Sequence, residues 1–131
     1  MIDRSILQNT VKSYDNNNIS ITALGSHSAL DIMDGATSEN LNSIVICQKG
    51  REVTYKHFDR IIKEVVTLPK FSDLLNDDIQ KSLISKNSIL IPHRSFTAYI
   101  DYDSIENDLK VPIFGNREML RTEEKIGRAH V

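Results

Sequence analysis

The stretch TALGSHSALDI places a histidine between two hydroxyl side chains, at the point where a β-type run ends and a helical pattern begins. Gly25 ends the run, and Ser26, His27 and Ser28 lead into the helix. The N-terminus of a helix has unpaired N–H groups and about half a positive charge, so it attracts anions. Gly25 lets the backbone approach a ligand, the serines offer hydroxyl donors, and His27 offers a further donor or a charge. The turn predicts an anion-binding site, with phosphate as the natural ligand.

Similar residue types follow the other predicted strands. They are Lys49, Gly50 and Arg51 after the second strand, His93, Arg94 and Ser95 after the fourth, and Gly115, Asn116 and Arg117 after the last. None of these loops carries a carboxylate, although the chain has 18 Asp and Glu residues. The carboxyl ends of parallel strands meet at one edge of a sheet, where ligands bind. We therefore expect these loops to form one edge that binds an anionic small molecule.

Each residue also has a simpler interpretation when it is taken alone. Ser26 or Ser28 would serve as a helix N-cap, and a single loop histidine is more often structural or merely exposed. Lys49 and Arg51 would be solvated turn residues, and His93 would only hydrogen-bond the backbone. Their joint occurrence on one predicted edge favours the binding site.

Apolar runs and helical patterns alternate along the chain. The predicted strands lie at 19–24, 43–47, 63–68, 88–91 and 111–114. The predicted helices lie at 3–14, 29–34, 55–60 and 71–84, with Gly35 ending the second and Ser72 capping the last. Strands that are unbroken apolar runs are typical of parallel sheets with both faces covered. The pattern predicts a single α/β domain with a Rossmann-like, three-layer parallel sheet.

Composition excludes several classes of protein. The 131 residues carry a net charge of −2, and their scattered Lys and Arg do not indicate a nucleic-acid partner. No apolar run approaches the ~20 residues that span a bilayer, so we expect a cytoplasmic protein without a membrane partner. The one cysteine, Cys47, lies in an apolar strand and is expected to be buried. The histidines lack metal-ligand spacing, and neither a P-loop nor a dinucleotide fingerprint is present, so no metal site is predicted.

Four motifs occur in order along the chain, namely LGSHSAL, KGREVTYKHF, NSILIPHRSFTAY and VPIFGNREMLR. Together they resemble the N-terminal domain of the archaeal formate-dependent AICAR ligases, which are ATP-grasp enzymes. AICAR is aminoimidazole carboxamide ribonucleotide. The resemblance implies a substrate-binding pre-ATP-grasp domain at 1–124. It also implies an ATP-dependent carbon–nitrogen ligase that formylates AICAR with formate, giving FAICAR in purine (IMP) biosynthesis.

The resemblance also implies roles for individual residues. His27 in LGSHSAL and Ser95 in PHRSF would be AICAR-binding positions. In this family ATP and magnesium bind between two further subdomains. The resemblance therefore implies no catalytic residue and no bound cofactor in this fragment, which would be inactive alone. The complete ligase would take AICAR, formate and ATP as substrates and would assemble into homo-oligomers.

The chain departs from the family pattern in two places and at its end. Arg94 replaces the glycine of PHGSF, and Thr122 replaces a tryptophan. A paralogous ATP-grasp ligase with another substrate, a stand-alone module that binds a nucleotide or phosphometabolite, and an α/β interaction domain without a ligand are therefore alternatives. Residues 126–131 have no counterpart in the family pattern and back-translate to a common sequencing adapter, and Lys125 matches the bases that precede it, so the tail is taken as 125–131. We expect a non-native tail that packs against nothing, with no role for His130.

Overall fold

Strands and helices alternate through the residues that the computed structural model describes, which are 2–25, 28–92 and 96–114. The elements in chain order are α1 (Arg4–Lys12), β1 (Ser20–Leu24), α2 (Ala29–Ser38), β2 (Asn42–Gln48), α3 (Glu52–Lys56), β3 (Glu64–Leu68), a 3-10 turn (Phe71–Leu75), α4 (Asp77–Ser85), β4 (Ser88–Leu90), α5 (Phe96–Tyr99) and α6 (Tyr102–Asn107). No helix within these described ranges has the length and apolar character needed to cross a membrane.

The sheet is parallel and has the strand order β3-β2-β1-β4. Thr22 of β1 pairs with Ile44 on one side and with Leu90 on the other. Beyond β4, a single parallel bridge joins Leu90 to Ile113, so the strand predicted at 111–114 is present only as this bridge. The predicted α/β class and the parallel sheet are confirmed.

Successive strand residues face opposite sides of the sheet, and each side has its own hydrophobic core. One core joins α2 and its following segments to the sheet through Ala23, Met33, Val45, Cys47 and Ile62. The other joins the 3-10 turn, α4, α5 and α6 to the sheet through Leu24, Ile46, Leu68, Phe71, Leu74, Leu83, Leu90, Phe96, Ile100, Ile105, Leu109 and Val111. The domain therefore has three layers, and Cys47 is buried, as predicted.

Helix α2 continues past Gly35, so the prediction that this glycine ends the helix is wrong. The helix ends at Ser38, and Asn40 adopts the left-handed conformation with φ of 61°. The N–H of Asn40 bonds to the carbonyl of Thr37 (3.0 Å) and that of Leu41 to Ala36 (2.9 Å). These two bonds form a Schellman motif, in which asparagine replaces the more usual glycine.

The helix predicted at 71–84 is two elements. Asn76 is extended, with φ of −63° and ψ of 135°, and separates the 3-10 turn from α4. Its carbonyl accepts the first helical hydrogen bond, from the N–H of Gln80 (3.0 Å). Ser72 lies inside the 3-10 turn and is not an N-cap, so that prediction is wrong. Apolar spacings of three residues fit both kinds of helix, which is why the pattern did not reveal the break.

Polar side chains at the amino ends of the strands satisfy one another. The hydroxyl of Tyr14 donates to the carbonyl of Ser88 (2.8 Å), and the Thr22 hydroxyl donates to the Ser88 side chain (3.0 Å). The Ser20 hydroxyl donates to the carbonyl of Lys86 (2.8 Å), whose ammonium pairs with Glu64. Buried polar groups of this kind stabilise the fold only when paired, and these are paired. This end of the sheet is therefore structural.

The buried hydroxyl of Tyr14 makes a testable contribution to stability. Burial raises the pKa of Tyr14 to about 12 from an ordinary 10.0. The folded state therefore holds this proton more tightly, and its stabilising effect is complete below pH 10 and is lost as the pH rises to about 12. We expect Tyr14→Phe to lower the free energy of unfolding by about 1 kcal/mol at neutral pH. Above pH 10 the difference from the wild type should shrink.

Urea unfolding between pH 7 and 12 measures both effects. Tyr99→Phe is the matched control, since its ring is 45% exposed, and it should follow the wild type. Parallel pH curves for Tyr14→Phe and the wild type would contradict the assignment.

Candidate anion-binding site

The strand order reverses between β1 and β4. From β1 the chain builds outward through β2 and β3, and it then returns to place β4 on the other side of β1. The connections after β1 and β4 pack on opposite faces of the sheet, since Met33 and Ile100 belong to different cores. In open parallel sheets such a reversal leaves a crevice at the carboxyl ends of the two strands, and ligands bind there. The two motifs that carry His27 and Ser95 follow these two strands.

Fully buried residues frame both connections. Leu24 and Ala29 bracket the first turn, and Leu90 and Phe96 bracket the second, all with 0% exposure. Several predicted site residues lie outside the described residues, and so does the predicted tail at 125–131. These site residues are Ser26, His27, His93, Arg94, Ser95, Asn116 and Arg117. Their roles stay predictions. The four buried residues fix where the chain enters and leaves each turn, and the two turns follow neighbouring strands.

Gly25 and Ser28 are the described residues of the first turn. The N–H of Gly25 donates to the carbonyl of Ile46 (2.7 Å), which ties the end of β1 to β2. Ser28 occupies the N-cap position of α2, and its carbonyl accepts from the N–H of Ile32 (3.1 Å). Its side chain makes no capping hydrogen bond. The hydroxyl of Ser28 is therefore not used as a helix cap, which was the simpler interpretation of this serine.

Tyr55 of α3 packs over Gly25 and was missed in the sequence. A Cβ atom built on Gly25 would lie 2.6 Å from the Tyr55 hydroxyl oxygen and 2.7 Å from its Cζ. The end of β1 therefore accepts only glycine while the tyrosine keeps this position. A glycine at a strand end often marks such a close approach, and Tyr55 lies in the KGREVTYKHF motif. Neither the glycine nor the motif, however, indicates from the sequence alone that Gly25 and Tyr55 are in contact.

The loop after β2 is less suited to an anion than its sequence suggested. The N–H of Gly50, which has φ of 98°, donates to the carboxylate of Glu52 (2.6 Å). Hydrogen bonds from the backbone N–H groups of Glu52 itself and of Gly50 lower the pKa of this carboxyl. Helix α3 also begins at Glu52, three residues before the predicted start. Residues 49–51 contain no carboxylate, as predicted, but the folded loop does have one beside it, because the side chain of Glu52 bonds to Gly50.

The two cations of this loop act on different groups. Burial raises the pKa of Tyr55, and the positive charge of Arg51 opposes that rise. Lys49 instead contributes to the lowered pKa of Glu52. Both side chains are exposed. Of the two predicted contacts, Arg51 is associated with the tyrosine beside the crevice and Lys49 with the carboxylate of its own loop.

The acidic stretch near the end of the described chain forms α6, where Ser104 donates its N–H to the N-cap Asp101 (2.8 Å). Throughout the described residues, no group of three or more His, Cys, Asp or Glu side chains is arranged to hold a metal ion. The described donors near the crevice are N–H groups, hydroxyls and a guanidinium, which suit an anionic ligand.

Comparison with known proteins identifies the family of the chain. A family model described as "Protein of unknown function (DUF1246)" matches residues 21–130. The chain belongs to this family. The match includes β1, β4 and both connections at the strand reversal. The DUF1246 segment is thus the part of the chain that contains the candidate site.

Relatives of this DUF1246 chain carry a specific name. The chain is 45% identical over 124 residues to the 5-formaminoimidazole-4-carboxamide-1-(beta)-D-ribofuranosyl 5'-monophosphate synthetase of Methanothermobacter thermautotrophicus, covering 95% of this chain and 34% of that protein. It is 46% identical over 111 residues to the protein of the same name from Methanobrevibacter smithii, covering 85% and 30%. The resemblance inferred from the four motifs is confirmed by these names.

A solved structure is also similar. It is the crystal structure of an IMP biosynthesis protein PurP from Thermococcus kodakaraensis, with a TM-score of 0.64 and 31% identity over 77% of this chain and 31% of that chain. The chain therefore spans about a third of the length of the relatives that it matches.

The contact between Gly25 and Tyr55 gives a prediction with an internal control. Gly25→Ala should lower the free energy of unfolding by about 1–3 kcal/mol, because the added methyl group must displace a packed ring. Gly35→Ala is the same change inside α2, where a Cβ has nothing within 4 Å. It should raise the free energy of unfolding by up to about 1 kcal/mol. Urea unfolding of the three proteins decides, and equal shifts for both variants would refute the close contact.

Proposed function

We propose that residues 1–124 are the substrate-binding N-terminal domain of an ATP-dependent ligase that formylates AICAR. The product would be FAICAR, on the route to IMP. The observation that carries the proposal is the similarity to the named FAICAR synthetase over 95% of this chain, at 45% identity. The strand reversal supports it, because it brings the ends of β1 and β4, which lead into LGSHSAL and PHRSF, side by side.

AICAR suits this crevice because it carries a phosphate on its ribose. The turn after β1 combines Gly25 with the N-terminus of a ten-residue helix, α2, whose dipole favours a negative group. In the proposed arrangement, His27 and Ser95 bind AICAR from the two sides of the crevice, with Ser26, Ser28, His93 and Arg94 beside them. Asn116 and Arg117, after the bridge at Ile113, are further candidate contacts on the β4 side.

The remaining chemistry is assigned to the rest of the ligase. ATP would activate formate, in the form of formyl phosphate, and the 5-amino group of AICAR would attack it to give FAICAR, ADP and phosphate. Mg²⁺ prefers carboxylate and other oxygen ligands, whereas the described donors beside the crevice suit phosphate. We therefore assign ATP and magnesium to the rest of the ligase and not to residues 1–124. The role of residues 1–124 is to bind and orient AICAR.

Three further features belong to the same proposal. The complete ligase would be a cytoplasmic homo-oligomer, with AICAR, formate and ATP as its substrates and with no nucleic-acid or membrane partner. Residues 125–131 would be a non-native tail, although the family match extends to residue 130. A paralogous ligase with another phosphorylated substrate is the second candidate, and Arg94 in place of glycine favours it, since a long cation would alter the pocket.

Calorimetric titration of this chain with AICAR tests the proposal. We expect saturable binding that His27→Ala and Ser95→Ala each weaken about ten- to hundredfold, the range for a lost hydrogen bond to a charged group. His57→Ala and Ser82→Ala are the matched controls, because both side chains are exposed, His57 at the C-cap of α3 and Ser82 on α4. They should bind AICAR like the wild type.

The outcomes separate the two candidates. Weakened binding in both site variants, with unchanged controls, supports AICAR at the β1–β4 crevice. If the folded wild type binds ribose 5-phosphate but AICAR no more tightly, the paralogue with another substrate is favoured. No binding of either compound contradicts a phosphate-binding domain.

A further inference from the structure

Tyr55 comes from a different connection than those that follow β1 and β4. It belongs to α3, between β2 and β3, and its ring is packed against the core that includes Met33 and Cys47. Its hydroxyl end lies against Gly25, the last residue before the first turn. The body of the side chain is thus fixed by the core, while the polar end is held at the carboxyl edge of the sheet.

The hydroxyl of Tyr55 is left for a ligand. No residue in the described part of the chain forms a hydrogen bond with it, and the side chain is only half-buried. The hydroxyl of Tyr14 is buried and paired, whereas that of Tyr55 belongs to a half-buried side chain and is accessible to a ligand. A tyrosine hydroxyl, with an ordinary pKa of 10.0, keeps its proton at neutral pH, and burial raises the pKa of Tyr55 further, so this hydroxyl is a hydrogen-bond donor. The guanidinium of Arg51 adds a positive charge in its surroundings.

We propose that Tyr55 is a ligand-binding residue of this site, whose hydroxyl donates a hydrogen bond to the phosphate of the bound ligand, with Arg51 supplying charge. This inference rests on the proposed function for the identity of the ligand, but not for the position of the tyrosine. It also gives Gly25 a second role. The absence of a side chain there keeps the Tyr55 hydroxyl beside the turn that leads to His27.

Tyr55→Phe removes the hydroxyl and keeps the packed ring, so the variant should unfold at the same urea concentration as the wild type. Three probes separate the parts of the ligand. They are AICAR, ribose 5-phosphate and the AICAR riboside, which lacks the phosphate. We expect Tyr55→Phe to weaken the binding of AICAR and of ribose 5-phosphate by the same factor, about ten- to hundredfold. Any binding of the riboside should be unchanged.

Two further variants keep the test sharp. Tyr14→Phe, at the opposite end of the sheet, should bind every probe like the wild type although it is less stable. Arg51→Gln alters an exposed side chain, so it keeps the fold even if Tyr55→Phe does not. Arg51→Gln should weaken the binding of ribose 5-phosphate and make that binding less dependent on salt concentration.

Each result is decisive. If the wild type binds ribose 5-phosphate and both Tyr55→Phe and Arg51→Gln bind it equally well, the assignment of Tyr55 is overturned. The proposed function is not affected by that outcome. An equal loss for riboside and phosphate probes also overturns it, because the hydroxyl would then not contact the phosphate. Binding of ribose 5-phosphate that depends on Tyr55, without preference for AICAR, overturns the proposed substrate and supports Tyr55. No binding of any probe by the wild type overturns both.

Discussion

The reversal of strand order between β1 and β4 constrains the rest of the domain. Parallel strands are joined by right-handed connections, so a chain that builds outward in one direction keeps its helices on one face. When it returns to add β4 on the other side of β1, the next helices must cover the opposite face. Both central strands are then buried on both sides, and Val45 and Ile46, which face opposite cores, are each 0% exposed. Polar chemistry is left only to the strand ends.

The amino and carboxyl ends of the strands differ in how their polar groups are paired. At the amino ends, Tyr14, Thr22 and Ser88 form a closed set of hydrogen bonds. At the carboxyl ends, Gly25 has no side chain and Tyr55 has a hydroxyl without a described partner. A buried polar group that is already paired stabilises the fold, whereas one held in place without a partner is available to a ligand. We therefore expect substitution of Tyr14 to alter stability and substitution of Tyr55 to alter binding.

The sequence predicted what depends on local patterns and missed what depends on the assembled fold. Unbroken apolar runs identified the strands, because a strand that is buried on both faces has no polar alternation to obscure it. Gly35 was misjudged because the hydrogen bond from Thr37 to the carbonyl of Ile61 (3.0 Å) holds the later turn of α2 in place. Tyr55 was missed because its contact with Gly25 joins residues from separate connections, and no spacing rule relates them.

The loop after β2 illustrates why a charge pattern alone does not locate a ligand. Lys49, Gly50 and Arg51 have the composition of a phosphate loop, yet the carboxylate of Glu52 already accepts the N–H of Gly50. An anion bound there would have to displace a charged group of the protein's own chain, and it would meet that group's negative charge nearby. The turn after β1 contains no carboxylate, and Asp31 comes only within the first turn of α2. Electrostatics therefore favours the β1–β4 crevice over the β2 loop as the site for an anion, and in the proposed site Arg51 would contribute through its charge near Tyr55.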